Sequence, residues 1–149
     1  MSQIMPPIPR IFFTYIEPLL CLFGALQPLL SPSSITAPLA SSPREPTPTE
    51  TLWALQNAVL LFGFALLTWV IMLHSNDRKV VRGYVLVSAL MDFPHWGALA
   101  VALDREGVLW EVGKWRGEMG MLAFVPLGTF LVKFGYLGRL FGRDRVVRR

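Results

Sequence analysis

Four apolar stretches dominate the 149-residue chain, at roughly 11–30, 52–73, 80–103 and 119–141. Each is close to the ~20 residues that a helix needs to cross a hydrocarbon layer. A soluble domain of this size has no core large enough to hide them. The balance of 53% hydrophobic against 16% charged residues, with a mean hydropathy of +0.47, points the same way. The chain is expected to be all-α, an integral membrane four-helix bundle forming a single membrane domain over residues 1–149. Its net charge of +4 would raise nucleic-acid binding in a soluble protein. Here the basic residues stand at the ends of the apolar runs, where they act as topology signals, so no nucleic-acid partner is expected. Cys21 is the only cysteine, which excludes an intramolecular disulfide.

In chain order, Pro6, Pro7 and Pro9 are expected to keep the backbone extended until the first helix opens near Ile11. Glu17 and Pro18 interrupt the apolar run that follows, which argues against a cleaved signal peptide. The Ser-, Pro- and Thr-rich stretch 31–49 has little to bury and is expected to be a disordered loop. Thr49 and Glu50 look like the start of the second helix. The short turn His74–Lys79 makes helices two and three antiparallel neighbours. Residues 104–118 are too charged to span. Val108, Leu109, Val112 and Trp115 share one helical face there, and the expectation is a short interfacial helix between helices 3 and 4, with a plain structured loop as the alternative. Gly138 with Gly142, and Ala54 with Ala58, have the small-xxx-small spacing of close helix contacts.

Orientation follows from the positive charges. In a four-pass chain Arg10, Arg78, Lys79, Arg82, Arg139, Arg143, Arg145, Arg148 and Arg149 share one side, against Arg44, Arg105, Lys114 and Arg116 on the other. That bias places both termini in the cytoplasm.

Ionisable side chains inside such segments are costly unless satisfied or used. Counting ~1.5 Å per residue puts Glu17 and Lys133 at nearly one depth. They are expected either to form a structural pair between helices one and four, or to separate, with Lys133 reaching the interface and Glu17 left as a proton donor or acceptor. Asp92, His95 and Trp96 fall on one helical face at i, i+3 and i+4. One reading makes Asp92 an acid, His95 its relay and Trp96 an aromatic wall. The other makes Asp92 the cap of a helix broken at Pro94, with His95 bonded to a nearby carbonyl. The candidate catalytic residues are therefore Glu17, Asp92 and His95, and the candidate ligand-binding residues Trp96, Asn57 and Tyr15. Glu17, Asp92 and His95 as a metal set is disfavoured with only two histidines in the chain, and neither a metal nor a cofactor is expected. No phosphate loop, nucleophile elbow or paired zinc spacing occurs.

Ile8-Pro9-Arg10-Ile11-Phe12-Phe13-Thr14-Tyr15-Ile16-Glu17-Pro18-Leu19, together with Met91-Asp92-Phe93-Pro94-His95-Trp96, resembles an uncharacterised family of small fungal four-span membrane proteins. The resemblance implies the four-span topology and an endomembrane location such as the endoplasmic reticulum. It also implies company with natural-product biosynthetic enzymes. A more distant similarity, without a shared diagnostic motif, is to membrane-embedded isomerases and terpenoid cyclases, whose intramembrane acids protonate isoprenoid or sterol double bonds. The expected function is to hold an isoprenoid- or sterol-like molecule between the helices, with proton transfer through Glu17 and Asp92. The alternative is a non-catalytic membrane scaffold or partner subunit, bound to membrane lipid, to another membrane protein or to a second copy.

Overall fold

The computed structural model describes residues 4–31, 44–115 and 118–145. Most of the 31–49 stretch lies outside the described residues. The described chain is helical, with no strand in it. Its helices are α1 (Pro7–Leu30), α2 (Pro48–His74), α3 (Arg78–Arg105) and α4 (Glu118–Leu137), and all four contain stretches long and apolar enough to cross a membrane. α1 packs along α2 and α3 along α4.

α1 begins at Pro7, four residues before the expected start. The first turn of a helix has N–H groups with no partner to give up, so Pro7 and Pro9 fit there at no cost and their fixed φ favours it. Within α1 the segment Phe12–Ile16 is π-helical and runs directly into Glu17-Pro18. Pro18 has no N–H to return to the carbonyl of Thr14, four residues back. The indole Nε1 of Trp69 on α2 donates to that carbonyl instead, at 2.8 Å. Near the other end of α1, a Cβ on Gly24 would lie 3.2 Å from Leu61, so α1 and α2 approach closely there. Ala58, Ala65 and Met72, seven residues apart along α2, form its buried stripe together with Thr68.

α2 is capped two residues earlier than expected. The Thr47 hydroxyl accepts from Glu50 N–H while the Glu50 carboxylate accepts from Thr47 N–H at 2.8 Å, a reciprocal box that satisfies two end groups. Pro48 occupies the first helical position. The turn to α3 is three residues long and closes on Asp77, whose carboxylate accepts from Lys79 N–H at 2.7 Å. α3 then continues through Pro94 without a break. Asp92 is therefore not the cap of a broken helix.

Two further expectations change. Among the described residues between α3 and α4 there is no amphipathic helix, only turns and a single 3-10 turn at Val112–Lys114. Gly107, at φ +70°, ends α3 in a conformation that side chains resist, and the segment is too short to repay helix nucleation. α4 stops at Leu137 instead of near Phe141. The chain there bonds Leu140 N–H to Gly135 O and Arg139 N–H to Tyr136 O, the Schellman pattern, with Arg139 at φ +64°. Gly138 and Gly142 thus belong to a helix terminus and not to a helix contact. Phe141 folds back over Gly135, where a Cβ would lie 2.8 Å from its ring.

Burial is uneven along the bundle. Met5, Phe13, Met72, Val81, Val85 and Tyr136 form a tight core at the end where the described parts of the two terminal segments meet, Arg145 N–H donating to Ile4 O at 2.8 Å. α2 and α3 touch near their turn, where Tyr84 stacks on Phe64 and its hydroxyl bonds Thr68. Arg82 of α3 donates to Leu137 O at 2.8 Å, and Arg78 reaches the buried carboxylate of Asp144 at 2.9 Å. Towards the opposite end the large apolar side chains of all four helices turn outward, as lipid-facing surfaces do.

The Trp69 bond gives the first test. Trp69→Phe leaves the Thr14 carbonyl unpaired and is expected to cost ~1–3 kcal/mol, read from thermal unfolding in detergent. In a Pro18→Ala background, where residue 18 regains an N–H, that cost should shrink. Equal costs in both backgrounds would mean that Trp69 contributes by packing alone.

Candidate functional site

Lys133 of α4 is the centre of the buried polar structure. Its Nζ lies 3.0 Å from Glu17 Oε1 on α1, and 3.0 and 3.2 Å from the two carboxylate oxygens of Asp92 on α3. The Ser88 carbonyl is 3.5 Å away on its far side. The expected Glu17–Lys133 pair is thus present, and Asp92 joins it. One ammonium with three donors joins three helices. The side chains of Glu17 and Lys133 are 3% and 4% exposed, whereas that of Asp92 is 13% exposed and is the member with accessible surface.

His95 does not join the cluster. Its Nε2 lies 3.1 Å from the carbonyl of Leu122 on α4. That carbonyl stands four residues before Pro126, which has no N–H to offer it. A carbonyl only accepts, so Nε2 carries the proton and donates. His95 therefore repairs α4 as Trp69 repairs α1. The sequence signal for both was present: a proline four residues beyond the carbonyl, and a ring N–H on the neighbouring helix.

Above the charged cluster lies an aromatic layer. Trp96 meets Phe130 edge-on at 5.0 Å between ring centroids, and Phe93 meets Phe130 at 5.5 Å. Beyond it α3, α4 and the loop joining them form a half-open cavity of about 290 Å³, lined by Trp96, Leu99, Ala100, Leu103, Phe124 and Leu127 among others. Leu109 and Trp115 of the loop close over it, and Trp115 Nε1 donates to Val108 O at 3.0 Å to hold that shape. Every lining side chain is apolar or aromatic.

Of the expected ligand-binding residues, Trp96 lines this cavity, whereas Asn57 on α2 and Tyr15 on α1 lie on exposed outer faces and are not among its lining residues. Ser88, Phe130 and the cavity wall were missed. Ser88 stands one turn from Asp92 and Phe130 one turn from Lys133, so helical spacing from the charged residues would have found both. Among the described residues, no group of three or more His, Cys, Asp or Glu is arranged to hold a metal ion.

The chain matches, over residues 2–143, the model of a family described as a domain of unknown function, DUF7704, and it belongs to that family. No curated protein and no solved structure matches it.

Lys133→Met leaves two carboxylates buried without a base and is expected to cost ~3–5 kcal/mol of stability. Adding Glu17→Gln and Asp92→Asn to Lys133→Met removes the stranded charge and should recover most of that loss in the same unfolding assay. His95→Phe should cost ~1–3 kcal/mol, and less when Pro126 is replaced by Ala.

Proposed function

We propose that the protein is integral to an endomembrane such as the endoplasmic reticulum, with both termini cytoplasmic, and holds a hydrophobic small molecule between α3 and α4. The observation that carries this reading is the apolar cavity, whose inner wall, Trp96, stands one helical turn from Asp92 on the same face of α3. A half-open apolar cavity walled by aromatic rings suits part of an isoprenoid- or sterol-like skeleton. The positive-charge bias at the closed end, where Arg10, Arg78, Lys79 and Arg82 gather, supports the orientation.

Proton transfer is the chemistry proposed for this site, and it requires the bound molecule to reach past Trp96, because Asp92 is not among the residues lining the cavity. A carboxyl of the cluster gives its proton to a carbon of a double bond in the bound molecule, and the electron pair of that bond forms the new C–H bond. The neighbouring carbon becomes cationic, and the face of Trp96 favours it. Loss of a proton from an adjacent carbon to the carboxylate re-forms a double bond and restores the acid, so the net change is an isomerisation. Asp92, with its accessible edge, is the donor in this scheme. His95 has no part in it, because its Nε2 proton is committed to Leu122 O.

A second reading, a non-catalytic scaffold or partner subunit, is favoured by one observation: every resolved bond of the cluster is internal, tying α1, α3 and α4 together.

Mass spectrometry of lipid extracts from the purified protein separates the two. One lipid class should be retained by the wild type and fall at least tenfold in Ala100→Trp, which fills the cavity. Asp92→Asn should retain a lipid but change the lipid-soluble products of expressing cells at matched protein levels. No retained lipid, or equal retention in Ala100→Trp, overturns the binding reading. Matched product profiles with folded Asp92→Asn overturn the proton chemistry alone.

A further inference from the structure

The buried cluster has two carboxylates and one ammonium, and among the described residues no other charged side chain is in contact with it. From α1 it receives Glu17, with Cys21 one turn further on. α3 supplies Asp92 and α4 supplies Lys133. α2 carries no charged residue between Glu50 and His74, and contributes the hydroxyl of Thr68, which is bonded to Phe64 O and to Tyr84. Arg82, further along α3, is engaged by Asp144 and by Leu137 O. With all three groups ionised, the cluster would hold one uncompensated negative charge inside a membrane-spanning bundle, an expensive state.

Its hydrogen bonds are incomplete as well. Lys133 directs its N–H groups to Glu17 Oε1, to Asp92 and towards the Ser88 carbonyl. Glu17 Oε2 and Ser88 Oγ are both buried and both without a hydrogen-bond partner. Ser88 lies one turn from Asp92 on the same face of α3, beside the ammonium. Buried oxygens are seldom left so. A metal ion does not answer the need, since Lys133 already occupies the space between the acids and the described residues offer no three-ligand group.

We propose that the Glu17–Lys133–Asp92 cluster binds one exchangeable proton, which makes it neutral and turns one of its two acceptor-only carboxylates into a hydrogen-bond donor. This deepens the preceding reading only in resting on its membrane placement; it needs no ligand. The cluster is then a proton-loading site, with the partly exposed carboxylate of Asp92 its point of exchange.

Infrared spectroscopy of the full chain in bilayers of ether-linked phosphatidylcholine, which has no ester carbonyl to overlap the band, tests it at neutral pH. The C=O stretch of a protonated carboxyl is separate from carboxylate bands and shifts in D2O. The wild type is expected to show this band at about one carboxyl per chain. It should vanish in both Glu17→Gln and Asp92→Asn, because either change leaves a neutral pair of Lys133 with the remaining carboxylate. That pair also keeps both variants folded, which gel filtration checks. Absence of the band from the wild type overturns the proposal without any variant, as does a band that persists unchanged in both variants. Lipid retention is independent of these outcomes, so failure here and failure of the binding reading are told apart.

Discussion

A carbonyl oxygen that has lost its helical N–H finds no water inside hydrocarbon, and the prolines within these helices create that need. Two of the freed carbonyls are met from neighbouring helices, Thr14 by Trp69 and Leu122 by His95. Each bond lies within one of the two packed helix pairs, the first tying α1 to α2 and the second tying α3 to α4. The pairs themselves are joined by Lys133 and by the core at the closed end. Backbone satisfaction thus sets how each pair is built, and charge satisfaction sets how the pairs meet.

The bundle is layered along α3 and α4. Arg78 and Arg82 hold Asp144 at the closed end, followed by the apolar core around Val81 and Val85, the charged cluster at Ser88, Asp92 and Lys133, the aromatic layer, and the cavity. The layers differ in what they resist. The core and the arginine contacts oppose separation of the helices. The cavity region, with large apolar side chains facing outward around it, is the part with room to accept another molecule.

The four helices were legible because hydrophobic length survives any detail of packing, and the level of Glu17 with Lys133 followed from helical rise alone. Their ends were less legible. Pro7 and Pro9 look like breakers until their place in a first turn is recognised. The pattern Val108, Leu109, Val112 and Trp115 suggested an amphipathic helix, but Gly107 and the short span favour turns, and the apolar side chains Leu109 and Trp115 cover the cavity. The spacing of Asp92 and His95 suggested a partnership because both face one way; the alternative reading, His95 bonded to a nearby carbonyl, is the one the structure shows. Their partners instead stand on α4, and which residues face them depends on the register between helices, which no single sequence pattern encodes.

The pairing of proline with a ring on the next helix also bears on how such a chain is able to drift. Pro126 and His95 are 31 positions apart, yet each makes sense only beside the other. A lineage that loses the proline first makes the imidazole dispensable and frees that position for another residue. A lineage that loses the histidine first passes through a chain with an orphaned carbonyl in the bilayer. The order of substitution is therefore not symmetric: descent runs more easily through the proline, and Pro18 with Trp69 imposes the same one-way path on the other helix pair.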